Sequence, residues 1–386
     1  MPSSDTGPGW IRTLNRCSPP TGMTTKVPPS EHRCVRLTES DLDKLLPKTA
    51  LKDWLEWAST RYHLLGPVEA EDGSRSFAAV SADRLPALDN RRQCASPKEA
   101  VLPSCETLFT FDPGDGQPRL SPPGGEFAPT LMVGMKPCDV RSLEVLDRVF
   151  LDGRFQDPYY AGRRKSLVTV AYVCESKRWS CFCSSVGDPI EWSLAADVAL
   201  TDVGEAYVAT ANTPAGEELL GCPAFRDVSA DELATRDIVW NALRERAEPF
   251  DPEKVAAGVD WEEPAWDAIA EKCIGCGVCS FLCPTCTCFD IQDETIAGGK
   301  VERYRVRDTC QFCDFTKMGH GHNPRPSRRE RVRQRISHKF KYIVHQCGIC
   351  GCVGCGRCVE LCPVNADLRG VLSEIVSGNG CESVSA

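Results

Sequence analysis

The 386-residue chain has no run of about 18 apolar residues, and this absence excludes a helix that spans a membrane. It shows no apolar stretch after a basic N-terminal segment, so we expect a cytoplasmic protein without a secretory signal. Basic residues number 45 against 54 acidic ones, a net charge of −9 that argues against nucleic-acid partners. The glycine-rich fingerprints of dinucleotide and phosphate loops are also missing, so we expect no flavin or nicotinamide on this chain.

Cysteine, in contrast, is abundant, with 24 residues, of which 14 fall between Cys273 and Cys362. A chain of this length buries a core without disulfides, and in a reducing compartment such cysteines are expected to bind metal. The distribution predicts five segments. They are a disordered tail (1–30), an α/β or α+β body (31–245), a linker (246–263), a ferredoxin-like dicluster domain of helices and loops (264–370) with an insertion (284–351), and a tail (371–386).

Local patterns predict several elements of the body. Short apolar runs indicate buried strands at Thr130–Val133 and Leu167–Val173. Helical stretches are predicted at Leu51–Ala58, Ser142–Phe150 and Asp231–Glu245, and a capped helix is predicted to start near Thr38. This alternation indicates a mixed fold in which helices cover a sheet.

Two cysteine motifs carry the clearest chemistry. The first runs from Cys273 to Cys283 and the second from Cys352 to Cys362, and each has the C-x2-C-x2-C-x3-C-P spacing of bacterial ferredoxins. In such pairs the fourth cysteine binds the other cluster, and small glycines let the loop turn around the irons. Structural zinc is the alternative. The prediction is a 4Fe-4S cluster I on Cys273, Cys276, Cys279 and Cys362, and a 4Fe-4S cluster II on Cys352, Cys355, Cys358 and Cys283.

Further cysteines form two weaker groups. The body group follows predicted strands, where α/β folds place their sites, and it predicts a third cluster unless these are unrelated buried thiols. The insertion group forms two C-x2-C pairs that suit an extra zinc or iron site, with inert buried thiols as the alternative. The body group is Cys138, Cys174, Cys181 and Cys183, and the insertion group is Cys310, Cys313, Cys347 and Cys350.

The motifs together resemble a known family. The stretches Cys283-Pro-Thr-Cys-Thr-Cys-Phe-Asp290, Gly321-His-Asn-Pro-Arg-Pro326 and the second motif are similar to the iron–sulfur beta subunit of cytoplasmic sulfhydrogenases and the A subunit of anaerobic sulfite reductases. Lys136-Pro-Cys-Asp and Asp157-Pro-Tyr-Tyr160 extend the resemblance into the body. The body cysteines are also similar to positions in the beta subunits of deazaflavin-reducing hydrogenases.

The resemblance implies an electron-transfer subunit of an anaerobic, cytoplasmic oxidoreductase complex. Its partners would be a flavin subunit that uses NAD(P)H and a catalytic metal subunit of hydrogenase or sulfur/sulfite reductase type, and this chain would not be catalytic alone. Three alternatives stay open. The first is a stand-alone reductase whose substrate site is formed in the body by the body cysteines and Asp157–Arg164. The second is a relay subunit of another anaerobic reductase complex, and the third is a metal-stabilised binding module with a basic segment at 319–341.

Overall fold

Among the residues that the structure describes, twelve strands form two sheets. The computed structural model describes residues 43–114, 117–123, 127–245, 252–259 and 265–377, so the predicted tail 1–30 lies outside the described residues. The strands are β1 (Asp43–Pro47), β2 (His63–Glu69), β3 (Arg75–Ala79), β4 (Cys105–Asp112), β5 (Arg119–Ser121), β6 (Thr130–Met135), β7 (Leu167–Tyr172), β8 (Val198–Asp202), β9 (Ala206–Ala211), β10 (Arg226–Asp227), β11 (Phe289–Thr295) and β12 (Val301–Arg307).

The helices are mostly short and begin at favourable positions. Asp157, Asp188, Thr213 and Ser229 accept backbone hydrogen bonds at helix N-termini, each followed within two residues by proline or an acid. The α-helices are α1 (Leu51–Ser59), α2 (Pro137–Phe150), α3 (Pro158–Lys165), α4 (Pro189–Leu194), α5 (Pro214–Leu220), α6 (Ala230–Arg244), α7 (Pro252–Gly258), α8 (Ala265–Lys272), α9 (Val278–Phe281), α10 (Arg328–Ser337), α11 (Ile343–Cys347), α12 (Arg357–Glu360) and α13 (Leu368–Ser377).

The larger sheet lies at the centre of the body, in the order β10-β1-β9-β8-β7-β6-β2-β3. Strands β2, β6, β7 and β8 run parallel, and the outer pairings are antiparallel. Alternate residues of β6 enter different cores: Leu131 and Val133 pack with Trp54 of α1, whereas Met132 packs with Leu146 of α2. Because both faces are covered, the central strands are nearly continuous in apolar residues.

The second sheet joins the body to the predicted insertion. Its order is β11-β12-β4-β5, and β4 of the body pairs antiparallel with β12 over Val301–Val306. Buried Arg305 of β12 hydrogen-bonds Glu106 of β4 at 2.9 Å and pairs with Asp157 at 2.5 Å. The insertion is therefore anchored to the body by backbone pairing and by buried charges.

The structure confirms a mixed α/β body, with strands β6 and β7 and helices α1, α2 and α6 near their predicted positions. The predicted helix near Thr38 is wrong where the chain is described, because Asp43–Pro47 forms β1 and pairs with β9 and β10. Helix α7 lies within the predicted linker 246–263, and α13 extends into the predicted tail to Ser377. Within the described residues, no helix is long and apolar enough to cross a bilayer.

Candidate metal centres

The first cysteine motif follows helix α8 and wraps a cavity. Gly275 and Gly277 adopt left-handed φ values of 71° and 77°, and helix α9 starts directly after Gly277. The backbone N–H of Gly275 donates to the Cys273 sulfur at 3.4 Å. This tight turn points several sulfurs to one side, as a metal cluster requires. The four cysteines predicted for cluster I, Cys273, Cys276, Cys279 and Cys362, line this first cavity together.

The second motif repeats this local geometry beside the body. The N–H of Gly354 donates to the Cys352 sulfur at 3.4 Å, which matches the bond at Gly275. Gly354 has a left-handed φ of 59°, and a methyl group added to it would lie 2.5 Å from the backbone nitrogen of Cys183. Glycine is therefore required here both by conformation and by close approach of the body. The four cysteines predicted for cluster II, Cys283, Cys352, Cys355 and Cys358, line a second cavity together.

A third cavity lies in the body, next to the second motif. Cys138 opens helix α2 after strand β6, and Cys174 follows strand β7, so both sit at strand ends. Burial raises the pKa of Cys174 to about 11 and that of Cys183 to about 12. The four body cysteines, Cys138, Cys174, Cys181 and Cys183, line this cavity with Cys355 of the second motif.

The three cavities form a series because neighbouring cavities share lining cysteines. Cys358 lines the first and second cavities, and Cys355 lines the second and third. Arg335 of helix α10 also lines both the first and second cavities. Three successive groups of sulfurs therefore run from the first motif into the body.

The residues present fit iron–sulfur clusters by their chemistry. Each cavity gathers at least four thiols, and backbone N–H groups point at three sulfurs, including Cys362, which accepts from Ala366 at 3.3 Å. Burial raises the pKa of Cys358 to about 12, so a bound cation is needed to hold this thiol as a thiolate. Across the described ranges, no three His, Cys, Asp or Glu side chains are arranged to hold a single metal ion.

Buried cations lie next to these thiols. Burial lowers the pKa of Arg335, but nearby Cys279, Cys358 and Cys283 raise it more, so its pKa lies well above the ordinary value. Arg335 donates to the Cys279 carbonyl at 3.0 Å. Lys339 donates to the Thr285 hydroxyl at 2.8 Å, and that hydroxyl lies 3.3 Å from the Cys283 sulfur. The insertion therefore supplies positive charge beside sulfur groups that become anionic on binding metal.

A fully buried ion pair holds the second motif against the body. Arg357 of the motif contacts Asp139, which follows Cys138, at 2.8 Å, and both side chains are 0% exposed. The Arg357 guanidinium also donates to the Gln93 carbonyl at 3.1 Å. Arg92 of the body donates to the Cys181 sulfur at 3.4 Å and hydrogen-bonds the Cys355 carbonyl. Sequence reasoning missed Arg92, Arg357 and Asp139, although Asp139 and Arg357 each lie next to a predicted ligand in the chain.

The four insertion cysteines that were predicted to share one metal site lie in different surroundings. Cys310 is buried and its thiol is hydrogen-bonded to Cys288, whereas Cys313 is exposed. Cys347 lies near Asp152 and Arg148, and Cys350 lies near Cys352 and Lys339. A shared zinc or iron site on Cys310, Cys313, Cys347 and Cys350 stays a prediction.

Comparison with known proteins identifies a related domain and a related protein. Residues 272–366 match the family model of a 4Fe-4S dicluster domain. The chain is 29% identical over 323 residues to the sulfhydrogenase 2 subunit beta of Pyrococcus furiosus, an alignment that covers 81% of this chain and 92% of that protein. No solved structure matches. The resemblance indicated by the sequence motifs is thus confirmed: the chain contains a 4Fe-4S dicluster domain near its C-terminus and is similar to the beta subunit of a sulfhydrogenase.

Proposed function

We propose that this chain is the electron-relay subunit of a cytoplasmic, anaerobic oxidoreductase complex. It carries electrons between a flavin subunit that uses NAD(P)H and a catalytic metal subunit of hydrogenase or sulfur/sulfite reductase type. The observation that carries the proposal is the series of three cysteine-lined cavities with shared sulfurs at Cys358 and Cys355. Bound clusters supply one-electron redox steps, and the protein sets their potentials through charge, hydrogen bonds to sulfur and solvent exposure.

Within this proposal the chain's residues have distinct tasks. Cys273, Cys276, Cys279 and Cys362 hold cluster I, Cys283, Cys352, Cys355 and Cys358 hold cluster II, and Cys138, Cys174, Cys181 and Cys183 hold a third cluster. Arg335 provides a buried positive charge between the first two cavities, which favours the reduced and more negative state of a cluster. Arg92 lines the third cavity and is hydrogen-bonded to the Cys181 sulfur and to the Cys355 carbonyl, so it links the body cysteines to the second motif.

A stand-alone reductase with a substrate site at Asp157–Arg164 receives less support. Asp157 caps helix α3 and pairs with Arg305 at 2.5 Å. Arg163 pairs with Glu106 at 2.6 Å, and Arg164 pairs with Asp147 at 3.2 Å. These charges therefore pair with oppositely charged groups of β12, β4 and α2, which is a structural role. Turnover by the isolated chain with an artificial electron donor would restore the enzyme hypothesis.

Iron analysis and low-temperature EPR of the anaerobically purified chain test the relay. We expect about twelve irons per chain and three interacting signals after dithionite reduction, since each 4Fe-4S cluster binds four cysteines. The Cys174→Ser variant should lose about four irons and one signal. Cys222→Ser, which alters a buried thiol in the body core, is the matched control and should keep all signals. Fewer than two clusters in the wild-type chain would overturn the proposal, and unchanged iron in Cys174→Ser would remove the third centre.

A further inference from the structure

Three cysteines outside the predicted cluster ligands meet in one place. Cys286 and Cys288 follow Cys283 and precede strand β11, and Cys310 follows strand β12. The Cys288 thiol lies between the other two and is hydrogen-bonded to both sulfurs. The β11–β12 hairpin brings them together, because the N–H of Asp308 donates to the Cys288 carbonyl at 3.2 Å. We call Cys286, Cys288 and Cys310 the thiol triad.

The surroundings of the thiol triad are cationic and enclosed. Buried Lys98 donates to the Cys286 carbonyl at 3.3 Å and to the Cys283 carbonyl at 2.7 Å. The Gln311 side-chain amide donates to the Cys310 sulfur at 3.7 Å. Positive charge and N–H donors stabilise a thiolate, which is the species that reacts in thiol–disulfide chemistry. Hydrogen bonding also places the Cys288 sulfur next to the Cys286 and Cys310 sulfurs, which are the atoms that a disulfide would join.

The thiol triad also lies next to the second cavity. Cys286 is three residues after Cys283, which lines that cavity, and Lys98 hydrogen-bonds the carbonyls of both cysteines. Cys310 is only 9% exposed, so a large external oxidant has poor access to it. Gln311, which donates to the Cys310 sulfur, lines the first cavity, so Cys310 lies next to that cavity as well. Redox centres in the first and second cavities are therefore the neighbouring electron partners for these thiols.

We propose that Cys288 and Cys310 form a reversible dithiol–disulfide couple that exchanges electrons with the neighbouring iron–sulfur centres. On oxidation two S–H bonds break, one S–S bond forms, two protons leave, and two electrons pass one at a time to the iron–sulfur centres. Reduction reverses each of these steps. Cys286 is the exchange thiol: its thiolate attacks the Cys288 sulfur and releases Cys310.

This inference rests on the proposed function for its electron partner, and it assigns a further activity to the chain. A cluster carries single electrons, whereas a disulfide takes or gives two electrons together. The thiol triad would thus store an electron pair inside a one-electron relay. The same bond would join the two ends of the β11–β12 hairpin, since Cys288 and Cys310 flank it.

Peptide mapping of the cluster-loaded full chain tests the inference directly. The anaerobic protein is oxidised stepwise with a one-electron oxidant, alkylated under denaturing conditions and digested without reductant. We expect a cross-link between Cys288 and either Cys310 or Cys286, formed while iron content stays constant and reversed by dithionite. Complete alkylation of all three thiols after oxidation would overturn the inference, as would a cross-link that forms only with loss of iron.

A reductive titration provides a second measurement. The oxidised wild-type chain should take up about two more electrons than Cys288→Ser at equal iron content, because a disulfide is a two-electron couple. Cys105→Ser, which alters an exposed thiol on neighbouring strand β4, is the control and should match the wild type. Zinc retained by wild type and lost in Cys288→Ser would show a metal site and overturn the couple. Low iron in the wild type would refute the proposed relay. The peptide map tests the disulfide separately, so the two failures can be distinguished.

Discussion

The two ferredoxin-type motifs have nearly the same local geometry but very different surroundings. In the first motif Cys276 is exposed, and neighbouring Ile274 is 58% exposed. In the second motif Cys355 is buried, and Arg357 is fully buried against the body. The comparison teaches that local spacing sets the turn and the sulfur positions, whereas the rest of the fold decides whether a centre meets solvent. The open first motif suits electron exchange with a partner, and the enclosed second motif suits internal relay.

The largest expected effect comes from breaking the ion pair that encloses the second motif. Asp139→Ala leaves Arg357 buried without its carboxylate, and we expect a loss of about 3–5 kcal/mol in the free energy of unfolding. Anaerobic denaturant unfolding measures this loss. Asp293→Ala is the control, because its partner Arg303 and Asp293 are both exposed, and it should cost about 0–1 kcal/mol. Equal losses in the two variants would mean that the second motif is not held by the buried pair.

His338 precedes Lys339, which lines the second cavity, and its burial predicts that the free energy of unfolding depends on pH. Burial and the nearby Lys339 lower the pKa of His338 from 6.5 to about 4. Between these pH values the unfolded chain binds more protons than the folded one, so stability rises with pH and is lost as pH falls from 6.5 towards 4. The contribution is about 3 kcal/mol at neutral pH. His338→Gln should flatten the stability profile in this window, and an unchanged slope would contradict the assignment.

Matched glycine substitutions compare the two motifs directly. Gly275→Ala and Gly354→Ala both place alanine at a left-handed φ, which costs about 1–2 kcal/mol. At Gly354 the added methyl also meets the backbone of Cys183 at 2.5 Å, whereas the nearest atom at Gly275 is 3.6 Å away. Overpacking should therefore cost Gly354→Ala about 1–3 kcal/mol more. Thermal unfolding of the two variants side by side measures this difference, and equal midpoints would refute tight contact with the body.

The smallest effect is a difference in chemical reactivity between the motifs. With a chelator and iodoacetamide under anaerobic conditions, we expect alkylation of exposed Cys276 before alkylation of buried Cys355. Mass spectrometry of digests taken over time gives the order. Exposed Cys105, which is not a predicted ligand, reports the reagent's intrinsic rate. Labelling of Cys355 first would reverse the assignment of open and enclosed centres.

Local patterns in the sequence predicted the elements whose signals are local. Strands β6 and β7 are short apolar runs buried on both faces, so their composition identifies them. The cysteine groups also followed from spacing, because a wrapped turn brings residues three positions apart to one side. Strand β1 was predicted as a helix because caps and acids near Thr38 are local signals, which its pairing with β9 and β10 overrides.

Features that depend on distant pairing could not be predicted from the sequence. Strand β11 is exposed along its whole length, so no apolar pattern marks it, and it forms by pairing with β12. The thiol triad depends on that hairpin, since Cys310 lies beyond its far end. Arg357 and Asp139 are distant in the chain and meet only in the folded protein. An arginine and an aspartate next to cysteines carry no sequence signal that they pair with each other.

The sheet shared by β4 and β12 has a consequence for how this protein is made. Its two central strands come from distant segments, Cys105–Asp112 and Val301–Arg307, so β4 cannot pair with β12 until the later segment has been synthesised. Until then β4 presents an unpaired edge, and the turn that holds the body cysteines lacks the second motif as its neighbour. We therefore expect the second sheet and the contact between the second motif and the body to form late in synthesis. We therefore do not expect the dicluster region to fold in another protein unless strand β4 is transferred with it.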